Sequence, residues 1–114
     1  MTLETLAAHH RLKVRRDKDD TKVVGKFGHL YEHDDEYFGV LLMFSTVGRW
    51  NNARRRLEAA GCEILQNGET EGTAIFPRRE GLEVTQAIRE AKTPRKRLST
   101  GREIQNLKRC GVGR

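Results

Sequence analysis

The chain has 114 residues, of which 36% are hydrophobic, 22 are Lys or Arg and 16 are Asp or Glu. This length suits one domain, and the longest apolar run, Val40 to Phe44, is too short for a membrane-spanning helix or a secretion signal. Two cysteines, Cys62 and Cys110, do not make a disulfide framework, so we expect reduced thiols, a cytoplasmic protein and no membrane partner.

The positive charge is concentrated at the C-terminal end of the chain. Residues 92–114 contain eight basic residues and one acid, Glu103, whereas residues 1–91 contain 14 basic and 15 acidic residues. This asymmetry is typical of proteins that bind nucleic acid, because each phosphate neutralised by Lys or Arg releases a condensed cation. We predict one domain over residues 1–92 and a basic arm over residues 93–114; the alternative is a solvated tail that keeps the protein soluble.

Apolar spacing in the first third of the chain predicts a helix and then strands. Residues 3–10 have helical spacing, and residues 12–14 alternate as in a short strand. The next segment is interpreted as a hairpin with arms Thr21–Tyr31 and Tyr37–Phe44 around an acidic turn, Glu32–Glu36. Because its second arm is apolar on both faces, we expect that arm to be a central strand covered on both sides.

The clearest helix begins before Trp50, where Ser45 or Thr46 could cap it, and ends at Gly61. Asn67-Gly68 then indicates a second hairpin. Two more helices are predicted, over residues 80–92 and 100–110. The fold class is therefore α+β, with a small antiparallel sheet from two hairpins packed with helices in the order α-β-ββ-α-ββ-α-α.

An arginine-rich face is predicted on the Trp50 helix. When Trp50 and Leu57 face the core, the outer surface carries Arg49, Asn52, Arg55 and Arg56. Arginine donors fit phosphates or guanine edges, and asparagine can pair with adenine, so this face could rest along a nucleic acid. The alternative is a solvated face whose charges pair with Glu58 and its neighbours.

The basic arm and the end of the helix before it supply the other candidate contacts. Runs of this kind bind the phosphate backbone and carry little sequence information. Their placement after a proline and before a weak helix favours a segment that orders on binding. The predicted contact residues are Lys92, Arg95, Lys96, Arg97, Arg102, Lys108 and Arg109.

The sequence predicts no metal site and no cofactor. The acidic turn and the nearby His29 and His33 have the donor types of a divalent-cation site, but a hydrated acidic turn is the commoner use of such residues. His9 and His10 give a weaker signal than that turn. The cysteines have no CxxC spacing, and no glycine loop of the phosphate-binding kind is present.

Three segments resemble small proteins encoded by bacteriophages and prophages: KFGHLYE at residues 26–32, RWNNAR at 49–54 and GCEILQNGETEGTAIF at 61–76. The resemblance covers about residues 20–100. It implies an origin in a mobile element and action in the cytoplasm of a bacterium, and it assigns no catalytic residue.

Gly28–Tyr31 and Tyr37–Gly39 also resemble the paired strands of the GIY-YIG endonucleases. That resemblance implies metal-dependent cleavage of a phosphodiester. The catalytic tyrosine would be Tyr31, and the spacing between the two tyrosines is shorter than the family's. The resemblance would make Arg49 or Arg54 the assisting arginine and Glu58 or Glu83 the metal ligand.

The sequence as a whole favours a non-enzymatic protein that binds nucleic acid, with DNA preferred over RNA as the partner. A homodimer would suit a protein that reads paired half-sites. Two alternatives stay open. The chain could be an inhibitor or adaptor that binds a host protein through its acidic turn, or it could be the metal-dependent nuclease described above.

Overall fold

The computed structural model describes residues 1–18 and 20–94, which form three helices and one six-stranded antiparallel sheet. This confirms the α+β fold. The strand order in the sheet is β1-β2-β3-β4-β6-β5. The predicted helix at residues 100–110 lies outside the described residues. The elements are α1 Leu3–His9, β1 Arg15–Arg16, β2 Thr21–Val24, β3 Gly28–Glu32, β4 Tyr37–Met43, α2 Val47–Ala60, β5 Glu63–Asn67, β6 Glu71–Pro77 and α3 Leu82–Ala91.

The first arm of the predicted hairpin is two strands rather than one. β2 ends at Val24 and the chain reverses, so that Val23 pairs with Leu30 of β3. The reason is close packing of this turn: a Cβ at Gly25 would lie 2.2 Å from the carbonyl oxygen of Ala91, and only glycine leaves room. The β2–β3 turn is thereby held against the end of α3, which positions the site described below.

β4 is the central strand, as its composition predicts. It pairs with β3 on one side and β6 on the other, and its residues Phe38, Val40 and Leu42 are fully buried beneath the helices. The expectation that both faces are covered was wrong. Within the described residues all three helices pack on one face, and on the other face Met43 is 54% exposed. There Tyr31 lies across Gly39 and gives partial cover.

α2 has the ends that the sequence predicts. The Thr46 hydroxyl accepts a hydrogen bond from the Arg49 backbone N–H at 3.2 Å, and Gly61 ends the helix with a φ of 107°. Trp50 is fully buried, and its indole N–H donates to Asn67 Oδ1 at 2.8 Å. The Trp50 side chain is therefore packed in the core and is not accessible to a ligand.

The N-terminal helix is part of the core. Thr2 caps α1, and Leu3 and Leu6 are fully buried. Glu32, at the end of β3, accepts a hydrogen bond from the Leu3 backbone N–H at 2.9 Å. The short strand expected at residues 12–14 is displaced to Arg15–Arg16, and Leu12, which forms an isolated β-bridge, is buried in the core. Over residues 1–18 and 20–94, no helix is both long and apolar enough to span a bilayer.

We expect Cys62 to be unreactive in the folded protein. It is 6% exposed, and burial raises the pKa of its thiol to about 12, with the nearby Glu83 carboxylate adding to the shift. Because the thiolate is the reactive species, a Cys110→Ser variant should resist a thiol reagent at about pH 8 and react fully in guanidinium chloride. Rapid reaction of this variant under native conditions, followed by absorbance, would contradict the buried position.

Candidate nucleic-acid interface

A pocket forms where the β2–β3 turn, α2 and α3 meet. The Lys26 and Phe27 backbone N–H groups donate to the carbonyl oxygens of Lys92 and Ala91 at 3.2 and 3.0 Å, which fixes the turn on the last turn of α3. α2 packs against α3 on the adjoining side. The pocket has a volume of about 250 Å³ and is lined by Phe27, Phe44, Arg49, Asn52, Arg56, Arg89, Glu90 and Lys92. We call these residues, together with Lys26, the basic groove.

The Phe27 ring organises the positive charge of the basic groove. Lys26 Nζ, Arg49 Cζ and Lys92 Nζ lie 5.4, 5.8 and 5.9 Å from its centroid, within the range of cation–π attraction. The Phe44 ring supports Phe27 from the side, with 5.1 Å between the ring centroids. Three cations drawn to one ring repel one another, so an anion placed among them would relieve that repulsion.

One acid in the basic groove is already neutralised. Arg56 Nε and Nη2 donate to the two Glu90 carboxylate oxygens at 2.6 and 2.9 Å. The Glu90 side chain is only 6% exposed, whereas that of Arg56 is 54% exposed. This forked hydrogen bond raises the pKa of the Arg56 guanidinium, against a smaller opposing effect of burial. The pair contributes little net field, and the charge of the groove comes from its other cations.

Those other cations are exposed. Among the described residues, no carboxylate lies within salt-bridge distance of the charged groups of these four lysine and arginine side chains. They come from three separate elements, yet they surround one pocket, so their fields add at its mouth. They are Lys26, Arg49, Arg89 and Lys92.

The structure brings together four of the predicted contact residues: Arg49, Asn52, Arg56 and Lys92 line the same pocket. Arg55 lies outside the lining and donates to Asn52 Oδ1 at 3.1 Å, which orients that amide. The other predicted contacts lie outside the described residues. They are Arg95, Lys96, Arg97, Arg102, Lys108 and Arg109.

Sequence reasoning missed Lys26, Phe27 and Arg89. Lys26 and Phe27 were interpreted as the interior of a strand, and only the docking of their turn on α3 brings them to the site. The sequence contained one indication of Arg89. It lies three residues before Lys92 on the helix predicted at residues 80–92, and residues with that spacing lie on the same face of a helix.

The acidic turn has structural uses. Glu32 bonds to Leu3 and also accepts from Arg78 Nη1 at 3.2 Å. Asp34 Oδ1 accepts from the Glu36 and Tyr37 backbone N–H groups, both at 2.8 Å. These backbone hydrogen bonds, that from Glu36 first, lower the pKa of the Asp34 carboxyl. Two of the carboxylates in this turn are thus engaged in holding the fold.

The residues that a GIY-YIG enzyme would need are not gathered at one place. Tyr31 lies on the sheet face opposite the helices, where its ring crosses Gly39, whereas Arg49 is on α2. Glu58 accepts from Arg54 at 3.0 Å, and Glu83 accepts from Arg79 at 3.2 Å. Each proposed metal ligand is therefore paired with an arginine of its own.

A second pocket, of about 340 Å³, lies on the open face of the sheet. Of the described residues that line it, Lys22 is a cation and Asp20 and Glu32 are acids, so its charge does not favour a polyanion. Burial, with a smaller contribution from Lys22, lowers the pKa of the His29 imidazole in this pocket, against an opposing effect of Asp20. Charge therefore selects the basic groove as the candidate interface.

Comparison with known proteins gives no relative from which a function could be transferred. No protein-family description matches the chain, and no curated protein and no solved structure matches it significantly.

Proposed function

We propose that this protein binds nucleic acid without cleaving it, and that the basic groove holds phosphate groups of the backbone. One observation carries the proposal: Lys26, Arg49 and Lys92 converge on the Phe27 ring, while the one acid lining the pocket is bound to Arg56. Arginine and lysine grouped in this way are suited to phosphate oxygens, arginine by paired hydrogen bonds and lysine as a point charge.

The position of the groove links it to the basic arm. Lys92, which lines the groove, is the C-cap residue directly after α3, and Arg95 follows three residues later in the sequence. A phosphate backbone bound at the groove would therefore pass close to the start of the arm. Together the two regions would form one electrostatic surface, with the groove supplying position and the arm supplying further charge.

Hydrogen bonds to the bases, in addition to those to phosphate, would come from the outer face of α2. The Asn52 amide, oriented by Arg55, lies in the groove beside Arg49, and both side chain types can pair with base edges. DNA is the favoured partner. The first measurement is therefore the affinity of the full chain for duplex DNA, single-stranded DNA and duplex RNA across a salt series.

For duplex DNA we expect log affinity to fall linearly with log salt concentration, with a slope of about 0.9 for each phosphate neutralised. The variant Arg95→Ala/Lys96→Ala/Arg97→Ala should flatten this slope by about 2.7 units at most, or roughly one unit for each cation removed. No affinity of the unmodified chain for nucleic acid would refute the proposal, and a slope near zero would refute binding through the phosphate backbone. An unchanged slope in the variant would remove the arm from the interface. Retention of one host protein after nuclease treatment, with no affinity for nucleic acid, would favour an adaptor instead.

A further inference from the structure

Three side chains of types that can ligate a metal meet at the end of α1, on elements that the basic groove does not use. His9 is the last residue of α1, His10 follows it, and Glu80 lies between β6 and α3. His10 Nε2 lies 2.8 Å from Glu80 Oε1, and His9 Nε2 lies 3.9 Å from Glu80 Oε2. The three donor atoms lie within 4.8 Å of one another.

Glu80 Oε2 is unsatisfied. The atom is buried, and no hydrogen-bond donor reaches it from residues 1–18 or 20–94. The hydrogen bond from His10 accounts for Oε1 alone, and the 3.9 Å to His9 Nε2 is too long for a hydrogen bond. A buried carboxylate oxygen without a partner is costly, so an ordinary His–Glu pair does not explain this arrangement.

A zinc ion would satisfy all three groups at once. Two imidazoles and a carboxylate are a common ligand set for Zn²⁺, and tetrahedral bonds of about 2.0–2.2 Å separate neighbouring donor atoms by roughly 3.4 Å. The separations of His10 Nε2 from Glu80 Oε1 and of His9 Nε2 from Glu80 Oε2, 2.8 and 3.9 Å, lie on either side of that value, so the carboxylate must turn to present one oxygen to both imidazoles. Small rotations of the exposed His9 side chain and of the carboxylate would therefore complete the geometry.

We propose that His9, His10 and Glu80 form a zinc site that joins the end of α1 to the segment preceding α3. The proposal is independent of nucleic-acid binding. Its ligands come from residues about 70 positions apart in the sequence, so a bound ion would restrain the N-terminal helix against the rest of the domain. The fourth coordination position would be filled by water.

The test uses the full chain without an affinity tag, stripped of metal with a chelator. Titration with Zn²⁺, followed by calorimetry, should show one ion per chain with a dissociation constant in the micromolar range or below. Zinc should also raise the melting temperature. Replacing zinc with Co²⁺ should give the visible absorption of tetrahedral coordination.

His9→Ala should weaken zinc binding at least about tenfold, while the melting temperature of the metal-free protein stays unchanged because the His9 side chain is 63% exposed. Glu80→Gln should weaken binding similarly. His29→Asn/His33→Asn and Cys110→Ser are the controls, and both should bind zinc as the parent does. The proposal is overturned if the parent binds no zinc, if His9→Ala binds it with unchanged affinity, or if a control variant abolishes binding.

Discussion

Replacing Arg49, Arg89 and Lys92 together with alanine is expected to lower the affinity for duplex DNA by on the order of 10- to 100-fold at low salt. These residues come from two helices but line one pocket, so a phosphate held there would lose contact with all three. The salt dependence should flatten by about 2.7 units at most, since each lost phosphate contact removes about 0.9. Fluorescence anisotropy with a labelled duplex measures both quantities.

The matched control removes the same charge from another place. Lys13, Arg15 and Lys18 are exposed, lie in or beside the edge strand β1, and do not line the pocket of the basic groove. Their replacement with alanine changes the net charge equally but leaves the basic groove intact. We expect a much smaller loss of affinity from this variant. Equal losses from the two triple variants would mean that net charge alone governs binding and that the groove has no special role.

The elements of the fold could be predicted from the sequence because their signals are local. Thr46 and Gly61 mark the two ends of α2, and the spacing of Trp50, Ala53 and Leu57 marks its buried face. β4 is central because a strand of apolar side chains has the smallest desolvation cost when both of its neighbours are strands of the sheet. Each of these signals is read within one element, without knowledge of what packs against it.

The site was only half predictable, because its decisive contacts join residues far apart in the chain. Arg49 and Asn52 follow from the periodicity of one helix. The hydrogen bond between Arg56 and Glu90 joins residues 34 positions apart. No local pattern in the sequence shows that this bond engages the Arg56 guanidinium, which was predicted to contact phosphate. The docking of Phe27 on α3 depends likewise on Gly25, whose role is visible only beside Ala91.

Trp50→Ala is expected to destabilise the fold by about 3–5 kcal/mol, which is the usual range for truncating a large buried aromatic side chain. Trp50 is fully buried, and its indole N–H donates to Asn67, so the variant leaves both a cavity and an unpaired acceptor. Urea unfolding followed by circular dichroism measures the change, because the chain has no other tryptophan to report by fluorescence. Val47→Ala, at a 45%-exposed position of the same helix, should cost less than about 0.5 kcal/mol. Equal unfolding midpoints for the two variants would contradict this account.

A double-mutant cycle shows whether the indole packs against the sheet as described. A Cβ at Gly72 would lie 2.1 Å from Trp50 Cζ2 and 2.5 Å from the Gln66 carbonyl oxygen, so Gly72→Ala should destabilise the parent strongly. In the Trp50→Ala background the first clash is gone, and the same substitution should cost less, although the clash with Gln66 remains. Additive losses would show that the two residues are not in contact. Because Arg49 precedes Trp50 on α2, the contact with Gly72 also fixes the rotation of the helix that directs Arg49 toward Phe27.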